Sequence, residues 1–428
     1  MKIEGYIDSI FGPIPQEWKV TTLDAITLEH KQGFYTKEKY QDEGVKLIRI
    51  TDLGNPKIDY RQMPLLKMSD KDYEDFKVEK GDFLFARSGA IGRYGIVEDE
   101  DEKAVFASYI IRFRFNNEQL LNKYVGYFYE SSFVQRQLSA ITQGSSNVNI
   151  NANNIKSLKV TLPTINEQQK IVEILSSVDE QIEATEQLIA ETKELKQGLM
   201  QKLLTKGIGH TDFKQSDLGD IPVNWQVRSL SDIGIWHGGS TPSKSKAENW
   251  AQSKEIAWVT SKDMHTQVLE ETEIYITEIG MKEKNLSLLP IDTLVFVTRS
   301  GILRKRVPVA ITAIETTINQ DQKALLCNEN AYSRFVLYVI QRFNNHIKDT
   351  YVKTGTTVES IDFSGFKDYK LALPPFEEQQ KIANILSSVD DQIEIYEQEK
   401  EEFEQLKRGL MQKLLTGEIR VSIEEVSV

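Results

Sequence analysis

The hydrophobic residues of this chain follow a strand-like pattern and then a helix-like pattern, and this order occurs twice. Short apolar runs, which are typical of β-strands, fill much of residues 1–165 and 207–376. Residues 166–206 and 377–416 instead carry an apolar residue at every third or fourth position, which predicts one long amphipathic helix in each. The pattern therefore predicts two mixed α/β domains, each followed by a long helix, and a short tail at 417–428.

Each domain contains strand candidates and a shorter amphipathic helix. The helix is predicted over 117–141 and again over 328–352, and its apolar residues share one face, so we expect it to pack on the sheet of its own domain. The strand candidates are rich in β-branched and aromatic residues; they are 45–50, 82–86, 107–115 and 158–162 in the first domain and 256–260 and 293–297 in the second.

The two halves of the chain are copies of each other. The offset between matching segments stays between 207 and 212 residues, which indicates a duplicated module made of a domain and a helix, with an internal pseudo-twofold. The matching segments are IPxxW at 14–18 and 221–225, RSG at 87–89 and 299–301, EQQKI at 167–171 and 378–382, and GLMQKLLT at 198–205 and 409–416.

The apolar residues of the long helices have the spacing of a coiled-coil seam. In the first helix they are Ile171, Leu175, Val178, Ile182, Thr185, Ile189, Thr192, Leu195, Leu199 and Leu203, and in the second Ile382, Leu386, Val389, Ile393, Tyr396, Phe403, Leu406, Leu410 and Leu414. Asn166 with Gln169 resembles a capping box at the start of the first helix.

Duplication also predicts how the helices pair. Because the modules are copies, two helices that pair with each other do so antiparallel, as a rod of roughly 57 Å with one domain at each end. The alternative is that each helix pairs with a helix of another subunit. The fold class is therefore α+β, with two mixed domains joined by two long antiparallel coiled-coil helices.

Composition limits the class of protein. Hydrophobic residues make up 40% of the chain and charged residues 27%, and there is one cysteine and no apolar run long enough to span a membrane. We expect a cytoplasmic protein without disulfides. The net charge of -12 argues against nucleic-acid binding, but much of it lies in the long helices, so a local basic face on the domains stays compatible with it.

The duplicated helix and its repeated EQQKI, GLMQKLLT, IPxxW and RSG segments resemble the DNA-specificity subunit of a type I restriction-modification system. This resemblance covers essentially the whole chain. It implies two target-recognition domains that each read one half of a bipartite, asymmetric sequence in double-stranded DNA. It also implies a non-catalytic chain without cofactors, whose partners are two methyltransferase subunits that use S-adenosylmethionine and two restriction subunits that use ATP and Mg²⁺.

The resemblance further implies that the long helices bind the methyltransferase subunits. The candidate partner-binding residues are Leu175, Val178, Ile182, Leu199, Leu203, Leu386, Val389, Ile393, Leu410 and Leu414. Segments whose sequence differs between the modules are expected to carry the DNA sequence specificity, and segments with shared sequence are expected to be scaffold. The differing segments include 30–40 against 236–246 and 91–99 against 302–310.

Three paired segments offer polar or basic side chains at predicted strand ends, where they could reach a DNA groove. They are the RSG turns, the segments 51–55 and 260–264, and the polar loops 143–154 and 353–360. The candidate DNA-binding residues are Arg87, Ser88, Asn147, Asn149, Lys262, Arg299, Ser300, Arg304 and Lys305. The alternatives are an ion pair within the domain for Arg87 and Arg299, a solvated loop for Arg304 and Lys305, and Asx turns for the two asparagines. Asp52 and Asp263 are expected to cap turns.

No motif supports catalysis by the chain itself. The segment LALPPFEE has Leu373 where an adenine methyltransferase needs a polar side chain, so we interpret PPF as a strand-to-helix connection. A Gly-rich cofactor loop and a P-loop are missing, and the five histidines are scattered. The competing hypothesis is a coiled-coil scaffold whose domains bind proteins and never DNA.

Overall fold

Each half of the chain forms a mixed α+β unit that contains parts of both long helices. The computed structural model describes residues 4–37, 39–98, 103–142, 149–355 and 358–422. Contacts between residues divide the chain into a first unit, Met1–Glu186 with Glu397–Val428, and a second unit, Gln187–Tyr396. Each unit thus combines one predicted domain with half of each long helix.

The first unit contains short strands, short helices and the beginning of a long helix. The strands are β1 (Tyr6–Ser9), β2 (Gly12–Pro15), β3 (Lys19–Thr22), β4 (Thr27–Gln32), β5 (Val45–Ile48), β6 (Leu65–Leu66), β7 (Phe83–Ala86), β8 (Tyr94–Ile96), β9 (Ala104–Phe106), β10 (Ile110–Phe115) and β11 (Lys159–Leu162). The helices are α1 (Leu23–Ile26), α2 (Asp70–Phe76), α3 (Asn122–Glu130), α4 (Ser132–Thr142), α5 (Ala152–Lys156) and the long α6 (Ile165–Lys206).

The main sheet of the first unit is antiparallel, with strand order β4-β10-β7-β8. A three-stranded sheet has the order β6-β5-β9, in which β5 and β9 are parallel. Phe83 and Tyr94 stack with ring centroids 5.0 Å apart, and Phe85 meets Tyr129 of α3 edge to face at 4.9 Å. Helix α3 therefore packs on the sheet of its own unit, as its amphipathic pattern predicts.

The second unit repeats this plan. Its strands are β12 (Phe213–Ser216), β13 (Gly219–Pro222), β14 (Gln226–Ser229), β15 (Gly234–Gly238), β16 (Ile256–Val259), β17 (Val268–Leu269), β18 (Tyr275–Ile276), β19 (Leu294–Val297), β20 (Val309–Thr312), β21 (Thr316–Ile318), β22 (Gln322–Cys327), β23 (Val352–Lys353), β24 (Ser360–Ile361) and β25 (Lys370–Leu373). Its helices are α7 (Glu278–Glu283), α8 (Ser333–Arg342), α9 (Asn344–Tyr351), α10 (Phe363–Lys367) and the long α11 (Phe376–Leu414).

The main sheet of the second unit has five strands in the order β15-β22-β19-β20-β17. A three-stranded sheet has the order β18-β16-β21, with β16 and β21 parallel. The pair β16 and β21 thus repeats the parallel pair β5 and β9 of the first unit. All six predicted strands are present, each slightly shorter than predicted, and the mixed α+β class is confirmed.

The shared IPxxW motif is a buried part of the scaffold in both units. Trp18 and Trp225 are buried, and each indole N–H donates a hydrogen bond to a glutamate of a long helix, Glu167 or Glu378, at 3.2 Å. The duplicated tryptophan therefore joins the beginning of each domain to the first turn of the helix that follows the domain.

One helix prediction is wrong in detail. The single helix expected over 117–141 is two helices, because Ser131 between α3 and α4 has extended dihedral angles and donates its hydroxyl to the carbonyl of Phe128. A serine side chain competes in this way with helical hydrogen bonds. The helix expected over 328–352 is likewise divided, at Phe343, into α8 and α9.

The first long helix begins with a different capping box from the one predicted. The Thr164 hydroxyl accepts from the backbone N–H of Glu167 at 3.3 Å, and the Glu167 carboxylate accepts from the N–H of Thr164 at 3.1 Å. The box is therefore Thr164 with Glu167, not Asn166 with Gln169, because the helix begins at Ile165 and Asn166 already lies inside it.

Within each unit the two long helices run antiparallel. In the first unit Lys407 pairs with Asp179 at 2.7 Å and Lys400 pairs with Glu186 at 2.7 Å. Residue numbers therefore decrease along α11 in the direction in which they increase along α6. In the second unit Lys196 of α6 pairs with Asp390 of α11. His210, which follows α6, lies 2.8 Å from Glu378 near the start of α11.

The predicted seam is wrong at two equivalent positions. Leu195 is 56% exposed and Leu406 is 48% exposed, whereas the following residues, Lys196 and Lys407, point inward. An ion pair across the helices thus replaces an apolar contact at this point. The spacing of apolar residues alone cannot predict such a pair, because lysine is assigned to the exposed face of an amphipathic helix.

Candidate nucleic-acid interface

The RSG turn and the polar loop predicted as separate candidates are neighbours in both units. Ser88 forms an isolated β-bridge with Asn149, and Arg299 forms a bridge with Ser360 at the corresponding turn. The N–H of Ile150 donates to the carbonyl of Arg87 at 2.8 Å. The turn follows β7 in the first unit and β19 in the second, so the end of one strand positions both segments.

The third predicted segment, 51–55 in the first unit and 260–264 in the second, contacts the chain that follows the RSG turn. In the first unit the Asn55 amide donates to the carbonyl of Gly92 at 3.1 Å, and Arg93 donates to the carbonyl of Ile50 at 3.4 Å. In the second unit Arg306 donates to the carbonyl of Met264 at 3.1 Å. Each unit therefore has one continuous surface, which we call its recognition face: residues 51–55, 87–93 and 149–150 in the first unit, and 260–264, 299–306 and 359–361 in the second.

The second recognition face is the more basic one. Its exposed cations are Lys262, Arg299, Arg304, Lys305 and Arg306. Lys262 pairs with Glu273 at 3.6 Å, and Arg304 pairs with Glu359. Such a cluster supplies the local positive charge that phosphate binding requires in a chain of net charge -12.

The first recognition face presents fewer cations. Arg93 is exposed, whereas Arg87 is half-buried and its Nε is buried without a hydrogen-bond partner. Neither Arg87 nor Arg299 forms an ion pair with a described residue, so the ion-pair alternative has no support there. Asn149 is exposed, while Asn147 lies outside the described residues.

The two serines of the RSG turns have backbone roles. Ser300 caps the short 3-10 turn Gly301–Arg304 by accepting from the N–H of Ile302 at 3.5 Å. The carbonyl of Ser88 accepts from the N–H of Ala90 at 2.9 Å, which closes the corresponding turn. Whether these serines and the other predicted residues contact DNA stays a prediction.

The acidic residues of the faces turn inward. Asp263 is buried, and its carboxylate accepts from the N–H of Thr260 at 2.7 Å and the N–H of Glu273 at 2.8 Å. Asp52 is also buried and accepts from the backbone N–H of Arg49 at 2.8 Å. Both carboxylates thus shape the loops, as the turn-capping interpretation predicts, and leave the outer surface to other side chains.

The helix residues predicted to bind a partner are mostly turned toward the chain's own cores. Leu175, Val178, Leu203, Leu386, Ile393 and Leu414 are buried, and Ile182, Leu199, Val389 and Leu410 are half-buried. Their role toward another subunit stays a prediction. The exposed apolar residues of the long helices are different ones, namely Leu188, Leu195, Phe376, Ile385, Ile395 and Leu406.

A half-buried charged cluster joins the helices to each domain, and the sequence analysis missed it. In the first cluster Asp179 accepts from the Tyr127 hydroxyl at 2.7 Å and pairs with Lys407. In the second cluster Asp390 accepts from the Tyr338 hydroxyl at 2.8 Å and pairs with Lys196. Lys196 and Lys407 are 211 residues apart, and that repetition beside an apolar seam is the signal that could have revealed them.

The first cluster has additional members. Lys407 also pairs with Glu130 at 2.8 Å, and the Tyr94 hydroxyl donates to Glu130 at 2.7 Å. Burial disfavours the charge of Lys407, but the two carboxylates outweigh it and raise the pKa of Lys407 above its ordinary value. Gln341 occupies the position equivalent to Glu130, so the second cluster has one carboxylate fewer.

The described residues offer little for other chemistry. They contain no group of three or more His, Cys, Asp or Glu side chains that could hold a metal ion. No helix among them is long and apolar enough to cross a membrane. Pro374 and Pro375 connect β25 to α11, so the PPF segment is the predicted strand-to-helix connection.

Comparison with known proteins gives the family. Residues 15–194 and 222–405 each match the family described as type I restriction modification DNA specificity domain. The chain belongs to this family. The match covers both domains and most of both long helices, so the family is represented twice in one chain.

Full-length and partial relatives have consistent names. A Methanocaldococcus jannaschii protein, provisionally named type I restriction enzyme MjaX specificity subunit, is 28% identical over 98% of this chain and 98% of its own length. The type I restriction enzyme EcoR124I/EcoR124II specificity subunit of Escherichia coli is 36% identical, over 39% of this chain and 41% of its own length.

A solved structure has the same fold. The S subunit of the type I restriction-modification system from M. genitalium superposes with a TM-score of 0.58 at 17% identity, covering 93% of this chain and 96% of that one. At this identity the likeness shows the fold alone. It agrees with the predicted family architecture of two recognition domains and two long helices.

Proposed function

We propose that this chain is the DNA sequence-recognition subunit of a type I restriction-modification complex, in which each unit reads one half of a bipartite, asymmetric target. The observation that carries the proposal is the pair of recognition faces on a duplicated scaffold. Three segments converge in the same way in both units, but their side chains differ. Two different surfaces on equivalent frameworks suit a target with two different halves.

The chain acts without catalysis of its own. Methylation of adenine with S-adenosylmethionine, and translocation and cleavage with ATP and Mg²⁺, belong to partner subunits. Two methyltransferase subunits and two restriction subunits complete the complex. The chain's own contribution is to select the DNA sequence and to hold the methyltransferase subunits over it.

The outward-facing apolar residues of the long helices support the methyltransferase contact. Leu195 and Leu406 are exposed at positions 211 residues apart, so the duplication presents the same apolar side chain on both helices. Two equivalent apolar positions suit two copies of one partner. Exposed leucines on otherwise charged helices are the residues expected to become buried on assembly.

DNA binding by the assembled complex tests the proposal. The chain is purified with its methyltransferase subunits, and binding to a library of DNA fragments is measured between 50 and 200 mM salt. We expect selection of fragments that share one bipartite sequence, with affinity that falls steeply with salt. Assembly with normal stoichiometry but without sequence selection would instead support the protein-binding scaffold.

A further inference from the structure

On the recognition face of the second unit, a buried carboxylate holds an exposed arginine. The Nε of Arg304 donates to Oε1 of Glu359 at 2.5 Å. The Glu359 side chain is only 8% exposed, whereas that of Arg304 is 67% exposed. The guanidinium is therefore anchored through its inner nitrogen, while its outer part faces solvent.

The backbone around this pair is fixed from two directions. The N–H of Ser300 donates to the carbonyl of Glu359 at 3.1 Å, and Arg299 forms a β-bridge with Ser360. The capped 3-10 turn Gly301–Arg304 then places the arginine at its last residue. Both partners of the pair thus sit on backbone that the strand ends position.

Two features of the pair have no partner in the part of the chain that the structure describes. The terminal nitrogens of Arg304 make no hydrogen bond to another described residue. The second carboxylate oxygen of Glu359, Oε2, is buried and has no partner among the described residues. The hydrogen bond from Arg304 lowers the pKa of Glu359, so the carboxylate is charged near neutral pH.

A guanidinium held at Nε presents its two terminal nitrogens as a fixed fork. This fork matches the O6 and N7 acceptors at the major-groove edge of guanine. Fixing an exposed arginine before DNA arrives also lowers the conformational entropy that binding would otherwise cost. The same fork could also bind two oxygens of a phosphate. The neighbouring exposed Lys305 is a point charge that suits a phosphate, which leaves the fork of Arg304 for a base.

We propose that Arg304, oriented by Glu359, reads one guanine in the half-site of the second unit. This inference rests on the proposed function. Arg304 contacts the base, and Glu359 is a positioning residue that acts through Arg304. The equivalent position to Glu359 in the first copy is Val148, so this device distinguishes the two modules.

Selection from a randomised DNA library tests the inference. The complex of the full chain with its methyltransferase subunits is mixed with DNA in which one half-site at a time is randomised, and bound sequences are counted. For Arg304→Ala we expect preference at a single G·C pair to fall roughly 5- to 150-fold, with the other positions unchanged. For Glu359→Gln we expect a smaller loss at the same pair.

Lys305→Ala is the matched control, and we expect it to weaken binding to all sequences alike. Uniform weakening by Arg304→Ala would assign this arginine to phosphate and overturn the inference, as would an unchanged preference at every position. Arg304→Ala leaves the buried Glu359 carboxylate without its donor, so an unfolding curve checks that the variant is folded under the conditions of the assay. Lack of sequence preference in the wild-type complex would contradict the proposed function itself, whereas preference that survives in Arg304→Ala contradicts only this inference.

Discussion

The two units are alike where they meet the long helices and different where their recognition faces lie. Both join a domain tyrosine, a helix aspartate and a lysine in one half-buried cluster, through Tyr127 or Tyr338 at equivalent positions. Both join a buried tryptophan to a helix glutamate. The common contacts fix each domain to the helices, and the sequence of the face is free to change without disturbing them.

The faces differ in charge and in internal support. The second face presents five exposed cations and the buried Glu359, whereas the first presents Arg93 and a half-buried Arg87. Divergent side chains thus stand on equivalent backbone segments. The contacts that hold each domain on the helices are therefore separate from its recognition face.

The largest effect is expected from charges placed in the shared helix contacts. Leu199 packs against the core of the second unit and Leu410 against that of the first, so replacing each by glutamate buries a carboxylate. We expect each variant to lower the free energy of unfolding by about 2 kcal/mol, and by equal amounts because the positions are equivalent. Urea unfolding measures both.

Leu195→Glu with Leu406→Glu is the control for that experiment. Both leucines are exposed, so the free energy of unfolding should stay within about 0.5 kcal/mol of the wild type. Size-exclusion chromatography with the methyltransferase subunits should nevertheless show weaker assembly. Normal assembly of this double variant would mean that the methyltransferase contact lies elsewhere.

The two units should respond differently when the half-buried lysines Lys407 and Lys196 are replaced. Lys407 is 17% exposed and lies between two carboxylates, whereas Lys196 pairs with one among the described residues. Lys407→Ala therefore leaves two neighbouring carboxylates without a countercharge. We expect a loss of about 2 kcal/mol for Lys407→Ala and about 1 kcal/mol for Lys196→Ala.

The exposed lysines at equivalent positions, Lys413 and Lys202, provide controls for the charge change. Replacing either by alanine should leave the unfolding curve nearly unchanged. If Lys407→Ala were no more destabilising than Lys413→Ala, the cluster would have no role in holding the domain on the helices.

Acid should affect the tryptophan–glutamate contact of the first unit. Burial opposes the charge of Glu167, but hydrogen bonds from Thr164, Trp18 and Arg420 outweigh it and lower the pKa of Glu167 below its ordinary value. A lowered pKa in the folded state stabilises the fold above pH of about 4.5, and this contribution is lost as the pH falls through the folded pKa.

The free energy of unfolding of the wild type should therefore decrease between pH 5 and pH 3 by more than that of Glu167→Gln. Arg420→Ala, which removes one of the stabilising donors, should give an intermediate slope. Parallel curves for the wild type and Glu167→Gln would show that this carboxylate is not linked to folding.

The smallest effect concerns salt dependence. Lys305 is an exposed cation of the more basic face, and its removal should lower the slope of log affinity against log salt by about one. Arg93→Ala, on the first face, tests whether the less basic face contributes to the same extent. A slope unaffected by Lys305→Ala would place this lysine away from the phosphates.

The sequence predicted the repeat, the long helices and the strands because their periodicity is strong and extends over many residues. It failed where a local or distant polar contact overrides the pattern. The hydroxyl of Ser131 hydrogen-bonds to the backbone and divides a helix. Lys196 and Lys407 point inward in place of the neighbouring leucines because each pairs with an aspartate of the other helix.

The candidate interface was predicted in pieces. Each of the three segments could be recognised from its polar residues. Their position side by side depends on strand pairing, which cannot be predicted from the sequence of any one segment. Arg304 and Glu359 are 55 residues apart in the sequence, so their contact could not be read from local spacing.

Sequencing of methylated adenines across the host genome, with and without this gene, tests the central claim most directly. We expect deletion to remove one bipartite methylated motif, and restoring the gene to return that motif with both halves and the spacer unchanged. An unchanged set of methylated motifs, while an active methyltransferase partner is expressed, would contradict the role in DNA recognition.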